Sequence, residues 1–231
     1  MPDPNTNQLI AVARKVKPLL DDLVFLGGCA TGLLITDPSA PSVRTTFDVD
    51  AVAEVTKYAE YVALGARLRE LGFSEDSSEG APVCRWTDGH LVLDVMPLDP
   101  SVFGFSNRWY EEAVTSASEI TLEDGLRIRM VTAPAFLATK LEAFKDRGSG
   151  DYYGSHDLED AIAVIDGRPE LPAEIAVAQP TLRQYLSSEW SKLLADPRFI
   201  DSLPGQLPPD PSSQARIGIL MRRIETIAQS I

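Results

Sequence analysis

Asp48 and Asp50 stand two residues apart in the string RTTFDVD, residues 44–50, a stretch of strand-like composition. A strand alternates faces with period two, so both carboxylates are expected to point the same way. Two carboxylates on one face repel unless a cation lies between them. Hard divalent cations such as Mg²⁺ take oxygen ligands and often meet phosphates at such places. A third acid, Asp94, sits in a second strand-like run, LVLDVMP. It lies between Leu93 and Val95, where a charge is costly if buried without a partner. Upstream, the apolar run LVFLGG ends in Gly27 and Gly28. Three carboxylates on adjacent strands beside a glycine turn are what metal-assisted phosphoryl or nucleotidyl chemistry needs.

Each part also has a plainer reading. Gly27-Gly28 alone is a turn. Asp48-Val49-Asp50 alone is an exposed strand face. A calcium loop starting at Asp48 fails because its sixth position is Ala53, not glycine. Gly27 and Gly32 have Walker-like spacing, but Leu33-Leu34 follow where Lys-Ser/Thr is required, and no GxGxxG occurs. Trp109-Tyr110 offers rings that could stack a base, with packing the commoner use. Neither His90 nor His156 stands where imidazole chemistry is indicated, and nothing near Cys29 suggests a nucleophilic thiol.

Hydrophobic periodicity supplies the elements that must position these residues. Residues 6–20 read as an amphipathic helix, 23–28 as a buried strand ending in a tight turn, and 29–36 as a short helix. DPSAPS, residues 37–42, reads as a loop. Residues 45–55 alternate as a strand over their first half, and 55–71 read as a helix closed at Gly72. Strands over 82–87 and 90–97 flank Asp88-Gly89, a two-residue hairpin signal. A further strand pair is expected around Ile120 and 126–131, joined near Asp124-Gly125. Helices follow over 134–146, 157–166 and 180–195. The expected organisation is an α/β core over 1–131, a helical region over 132–202, a proline-rich linker over 203–213, and a terminal helix over 214–231.

Composition sets the outer bounds. The 231 residues are 44% hydrophobic, as in a globular protein, and no apolar run reaches membrane-spanning length. MPDPNTNQL does not read as a signal peptide, so a cytoplasmic location is expected. Two cysteines are too few for a disulfide framework. A net charge of −13 speaks against a broadly basic nucleic-acid coat. It does not exclude a local basic groove: RNA could still be held if Lys140, Lys145, Arg147 and the terminal arginines, Arg216, Arg222 and Arg223, share a face with the cleft.

The glycine pair, RTTFDVD and the later acid in LVLDV together resemble the DNA polymerase β-like nucleotidyltransferase superfamily. TAPAFLATKLEAFKDRG followed by SHDLEDAIAVIDGR resembles the helical half of AbiEii-like and MenT-like nucleotidyltransferases, many of which are toxins of toxin–antitoxin or phage-defence systems. The likeness covers roughly residues 20–170. It implies an α+β fold: a mixed sheet with flanking helices, then a C-terminal helical region. It implies an enzyme that moves a nucleoside monophosphate from an NTP to a hydroxyl, with Mg²⁺, the acceptor being a tRNA 3′ end or a protein and a partner antitoxin being possible. Asp48, Asp50 and Asp94 would be catalytic and bind Mg²⁺. Gly27 and Gly28 would let the backbone approach the triphosphate, and Thr46 would contact phosphate or support Asp48. Lys140 would neutralise phosphate charge, oriented by Asp157 or by Asp160. The span between Gly28 and Asp48 is longer than usual in that family, and the DPSAPS loop accounts for it. Two rival readings are an aminoglycoside-type small-molecule nucleotidyltransferase and a non-catalytic nucleotide- or partner-binding module on the same fold.

Overall fold

The computed structural model describes residues 5–123, 125–148 and 150–230. They form two compact units: a sheet unit of 5–30 and 44–132, and a helical unit of 31–43 and 133–230. The strands are β1 (Leu23–Leu26), β2 (Val49–Ala53), β3 (Ser74–Glu75), β4 (Arg85–Thr87), β5 (Val92–Pro97), β6 (Ser118–Thr121) and β7 (Arg127–Met130). The helices are α1 (Thr6–Lys15), α2 (Thr31–Leu34), α3 (Tyr58–Glu70), α4 (Tyr110–Thr115), α5 (Ala133–Arg147), α6 (His156–Gly167), α7 (Leu171–Val177), α8 (Pro180–Leu194), α9 (Pro197–Ser202), α10 (Pro211–Gln214) and α11 (Ile217–Ala228). The architecture is the expected α+β arrangement, a mixed sheet with helices followed by a helical region.

In the sheet unit the seven strands run in the order β3-β4-β5-β2-β1-β7-β6. β1 pairs antiparallel with β2 and parallel with β7, while β2 pairs parallel with β5. All four residues of β1 are buried, as its unbroken apolar run requires. α1 stops at Lys15, short of the expected residue 20. Pro18 lacks the N–H a continuing α-helix would use, and the chain tightens into a 3₁₀ turn over Lys17–Asp22. Trp86 of β4 is buried and donates its indole N–H to Tyr61 Oη of α3 at 3.1 Å.

The hairpin of β4 and β5 has a wider loop than the expected two residues. Thr87 faces Val92, so Asp88, Gly89, His90 and Leu91 form the connection. Asp88 explains the difference. Its carboxylate accepts from the backbone N–H of His90 (2.9 Å) and Leu91 (2.7 Å), and Lys15 pairs with it. Gly89 takes the left-handed conformation, φ +93°, inside that turn. In the other hairpin, β6 pairs antiparallel with β7 with Ile120 opposite Ile128. Asp124 of that expected turn lies outside the described residues.

In the helical unit α5, α6, α8 and α11 pack together. Leu220, Ile224 and Ile227 lie buried on one stripe of α11 at helical spacing. Burying each contributes on the order of 1.5–3 kcal/mol. Residues 31–43 belong to this unit although their place in the chain is early. Thr36 and Asp37 N–H both donate to Gly167 O (3.0 and 2.9 Å), and Arg168 donates to Leu34 O at 2.8 Å. Gly167 has no side chain where Ile35 lies; a Cβ there would stand 2.8 Å from it. Residues 203–213, expected as a linker, fold into a 3₁₀ turn over Leu203–Gln206 and the start of α10. Buried Leu203 and Leu207 anchor the stretch, and the Gln214 side-chain amide donates to the carbonyls of Pro204, Leu207 and Pro208.

Candidate active site

The sheet unit brings Asp48, Asp50 and Asp94 together with Gly27, Gly28 and Thr46. Asp50 of β2 and Asp94 of β5 are register partners on parallel strands, and Arg85 of β4 is the register partner of Asp94. On the other side of β2, Asp50 pairs with Leu26, the residue before Gly27. Residues paired across neighbouring strands share a face. A row of charge therefore crosses the sheet from Arg85 through Asp94 and Asp50 to the glycine turn.

Arg85 is the residue that sequence reasoning missed. Its guanidinium forks onto Asp94, Nε to Oδ1 at 2.8 Å and Nη2 to Oδ2 at 2.7 Å. The same Nη2 donates to Asp48 Oδ2 at 2.9 Å. Asp94 is only 6% exposed, and this fork offsets the cost of burying its charge. The hydrogen bonds to Asp94 hold the guanidinium above its ordinary pKa, against partial burial. The neighbouring Cys84 thiol is pushed up to about 12 by burial and by the charges of Asp94 and Asp50, so it is a neutral packing group near neutral pH.

The expected strand over 45–55 begins only at Val49, so Asp48 lies just before it. The backbone of 44–47 bonds to α1 and its cap rather than to a neighbouring strand. Asn5, buried at the N-cap, accepts from Thr46 N–H at 2.9 Å and donates to Arg44 O at 3.0 Å. Gln8 donates to Phe47 O. Thr46 Oγ1 then donates to Asp48 Oδ1 at 2.7 Å. Asn5 and Gln8 carried no sequence signal, because their partners are backbone atoms some forty residues away.

The glycines serve the protein's own side chains. Gly27 has φ +72°, and a Cβ there would lie 1.9 Å from Asp50 Oδ2. The carboxylate occupies the space a side chain would fill. A Cβ on Gly28 would lie 2.8 Å from an Arg44 guanidinium nitrogen and 3.4 Å from Thr46. Arg44 thus brings a second guanidinium to the glycine end of the row.

The donor chemistry of the row, all carboxylate oxygen, is the kind Mg²⁺ takes. The arrangement is not. Every oxygen of Asp48 and Asp94 already accepts from Arg85 or Thr46. Among the described residues no group of three or more His, Cys, Asp or Glu side chains could hold a metal ion. With Arg85 seated, the acids fit a guanidinium and not a divalent cation.

The helical unit brings Lys140, Asp157 and Asp160 together. Lys140 on α5 is 7% exposed, and its ammonium donates to Asp160 Oδ2 at 2.7 Å and Asp157 Oδ1 at 3.2 Å. Arg147 forks onto Asp157, Nε to Oδ2 at 2.8 Å and Nη2 to Oδ1 at 2.9 Å. Burial pushes the Asp157 carboxyl up, but the Arg147 hydrogen bonds and the Lys140 and Arg147 charges outweigh it and leave it below the usual range. Ser155 caps α6, its Oγ accepting from Leu158 N–H, as its place before the helix suggests.

Of the other basic residues, Arg216, Arg223 and Lys145 are engaged within the helical unit as well. Arg216, 9% exposed, donates to Asp166 Oδ2 and Asp37 Oδ2, both at 2.7 Å. Arg223 donates to Ile165 O at 3.0 Å, and Lys145 pairs with Glu142 and Glu189. Trp109 is buried, in keeping with packing rather than stacking on a base. His156 is exposed and meets Glu159 at 3.0 Å, while His90 lies in the β4–β5 turn.

No protein-family model matches the chain, and no curated protein is similar to it. Two solved structures align with it along nearly their whole length. One is JHP933 from Helicobacter pylori, 12% identical, with 97% of this chain and 92% of that one covered and a TM-score of 0.49. The other is described as a "putative nucleotidyltransferase from H. pylori", also 12% identical, with 99% and 96% covered and a TM-score of 0.49. No described helix is long and apolar enough to cross a membrane.

Proposed function

We propose that the chain is a nucleotidyltransferase that moves a nucleoside monophosphate from an NTP to a hydroxyl acceptor and releases pyrophosphate. The observation that carries this reading is the in-register pairing of Asp50 with Asp94, directly beside the turn where Gly27 makes room for Asp50. It places the acids of RTTFDVD and LVLDV on one sheet face, next to a backbone turn that a triphosphate would approach. Asp48, Asp50 and Asp94 are the catalytic acids, with Asp94 helping to activate the acceptor hydroxyl. Thr46 positions Asp48, and Arg44 adds positive charge for phosphate at Gly28. Mg²⁺ enters this reading through the family resemblance alone, and a bound cation would supply positive charge to the phosphates.

The acceptor is better matched by a protein hydroxyl than by a tRNA end. RNA affinity rests on cations facing phosphate, and Lys140, Lys145, Arg147, Arg216 and Arg223 are all engaged with acceptors of their own unit. A toxin role with a partner antitoxin remains part of this proposal, resting on the resemblance of the helical half.

The test is incubation with each of the four α-labelled NTPs, Mg²⁺, total cellular RNA and cellular protein, beside Asp48→Asn and Asp50→Asn variants. Label on protein that both variants lose establishes the activity and the preferred base. Label on RNA would overturn the acceptor assignment. Absence of transfer and of NTP binding would sink the enzymatic reading.

A further inference from the structure

We propose that Arg85 is a phosphate-binding residue: Asp48 and Asp94 hold its guanidinium in place, and its open nitrogen, Nη1, takes a phosphate oxygen of the nucleotide without a divalent ion. This rests on the reading of the chain as a protein that binds an NTP. Arginine carries five N–H donors in a fixed planar fork. Three of them are taken here. Nε donates to Asp94 Oδ1 at 2.8 Å, and Nη2 donates to Asp94 Oδ2 at 2.7 Å and to Asp48 Oδ2 at 2.9 Å. Among the described residues Nη1 has no acceptor, so both of its N–H groups are open. The side chain is one-quarter exposed, and Nη1 is not one of the buried polar atoms left without a partner, so solvent reaches it.

The acids act on the arginine rather than on an ion. Every oxygen of Asp48 and Asp94 accepts from Arg85 or Thr46. A planar group gripped at two nitrogens cannot swing, so Nη1 is aimed before a ligand arrives and little ordering remains to be done on binding. Carboxylates repel phosphate. In the planar fork, however, Nη1 lies across the guanidinium from the Nε–Nη2 edge that Asp94 holds, and a phosphate oxygen meets it on that outer side. A second guanidinium flanks the acids at their other end. Thr46, which donates to Asp48, lies 3.4 Å from the place a Gly28 Cβ would take, and an Arg44 guanidinium nitrogen lies 2.8 Å from that place. Arginine stays charged at any working pH, so the phosphate contact is a charge-assisted one.

The experiment is calorimetric titration of the full-length chain with inorganic tripolyphosphate, which has the phosphates without a base, and with each of the four NTPs. Every titration is run once in EDTA and once in Mg²⁺. Wild type is compared with Arg85→Gln, Arg85→Lys and a control, Arg127→Gln, whose side chain is 73% exposed and pairs with Glu119. Wild type should bind tripolyphosphate in EDTA, and no more tightly in Mg²⁺. Arg85→Gln should bind it about tenfold more weakly, the worth of one hydrogen bond from a charged donor. Arg85→Lys keeps the charge but loses the fork, and should fall between the two. Arg127→Gln should match wild type. Binding that appears only with Mg²⁺ overturns the proposal. If NTPs bind and Arg85→Gln binds them as tightly as wild type, the nucleotide reading stands and Arg85 is only a strut. If Arg85→Gln does not fold, Arg85→Lys decides, and equal binding by it and wild type refutes the role of the fork. If wild type binds neither tripolyphosphate nor any NTP in either buffer, the nucleotide reading fails, and the phosphate role of Arg85 falls with it.

Discussion

Replacing Gly27 by alanine tests whether the glycine turn exists to seat Asp50. Two costs can be separated. A non-glycine residue in the left-handed region, here φ +72°, costs about 1–2 kcal/mol. The new Cβ would also lie 1.9 Å from Asp50 Oδ2, 2.5 Å from its Cγ and 2.7 Å from its Cβ. Turning the carboxylate aside clears its oxygen but leaves the Cβ contact, so β2 must shift against β1 at the Leu26–Asp50 pair. Overpacking of that kind costs about 1–3 kcal/mol more. The sum, about 2–5 kcal/mol, corresponds to a melting temperature lowered by roughly 5–15 °C in a chain of this size. Gly80→Ala is the control. Gly80 has φ +83° and nothing within 4 Å of the place a Cβ would take, so it carries the conformational cost alone. Thermal melting and urea titration of both variants read the difference. If Gly27→Ala melts as mildly as Gly80→Ala, the close approach of Asp50 is not what requires the glycine.

Further outcomes follow from the helical unit. Lys140→Met leaves Asp157 and Asp160 buried without their ammonium and should cost about 3–5 kcal/mol in urea denaturation. Because the Asp157 carboxyl is held below its usual range, its stabilising contribution is full above the unfolded value of about 3.9. It is lost as pH falls from there through the lower folded value. Melting temperatures of wild type between pH 5 and 2 should therefore drop more steeply than those of Arg147→Gln, and parallel curves would contradict this assignment. Arg216→Met should likewise cost about 3–5 kcal/mol, because Asp166 is 1% exposed and would be left unpaired. Asp37→Asn, on the more open side of the same arginine, should cost about 1 kcal/mol. Equal losses from these two variants would refute the assignment of Asp166 as the buried partner.

The parts of this protein that sequence alone determined are those written in local pattern. The period-two placement of Asp50, the unbroken apolar run of β1, the acid inside the apolar β5 and the stripe of α11 each follow from neighbours a few residues away. The grouping of Lys140 with Asp157 or Asp160 is implied by the family resemblance instead, and α5 and α6 bring the three side chains together. What tertiary structure decided are the pairings across long stretches of chain. A two-residue loop at Asp88-Gly89 would have set Arg85 opposite Val92. The Asp88 carboxylate, by capping His90 and Leu91, widens the loop and moves Arg85 opposite Asp94. Asn5 and Gln8 hold 44–47 out of strand pairing, and residues 31–43 join the helices through hydrogen bonds to Gly167. None of these leaves a mark in the sequence near the residues concerned. Hydrogen bonds to backbone atoms can be made by any chain brought near, so the partner is chosen by packing rather than by residue type.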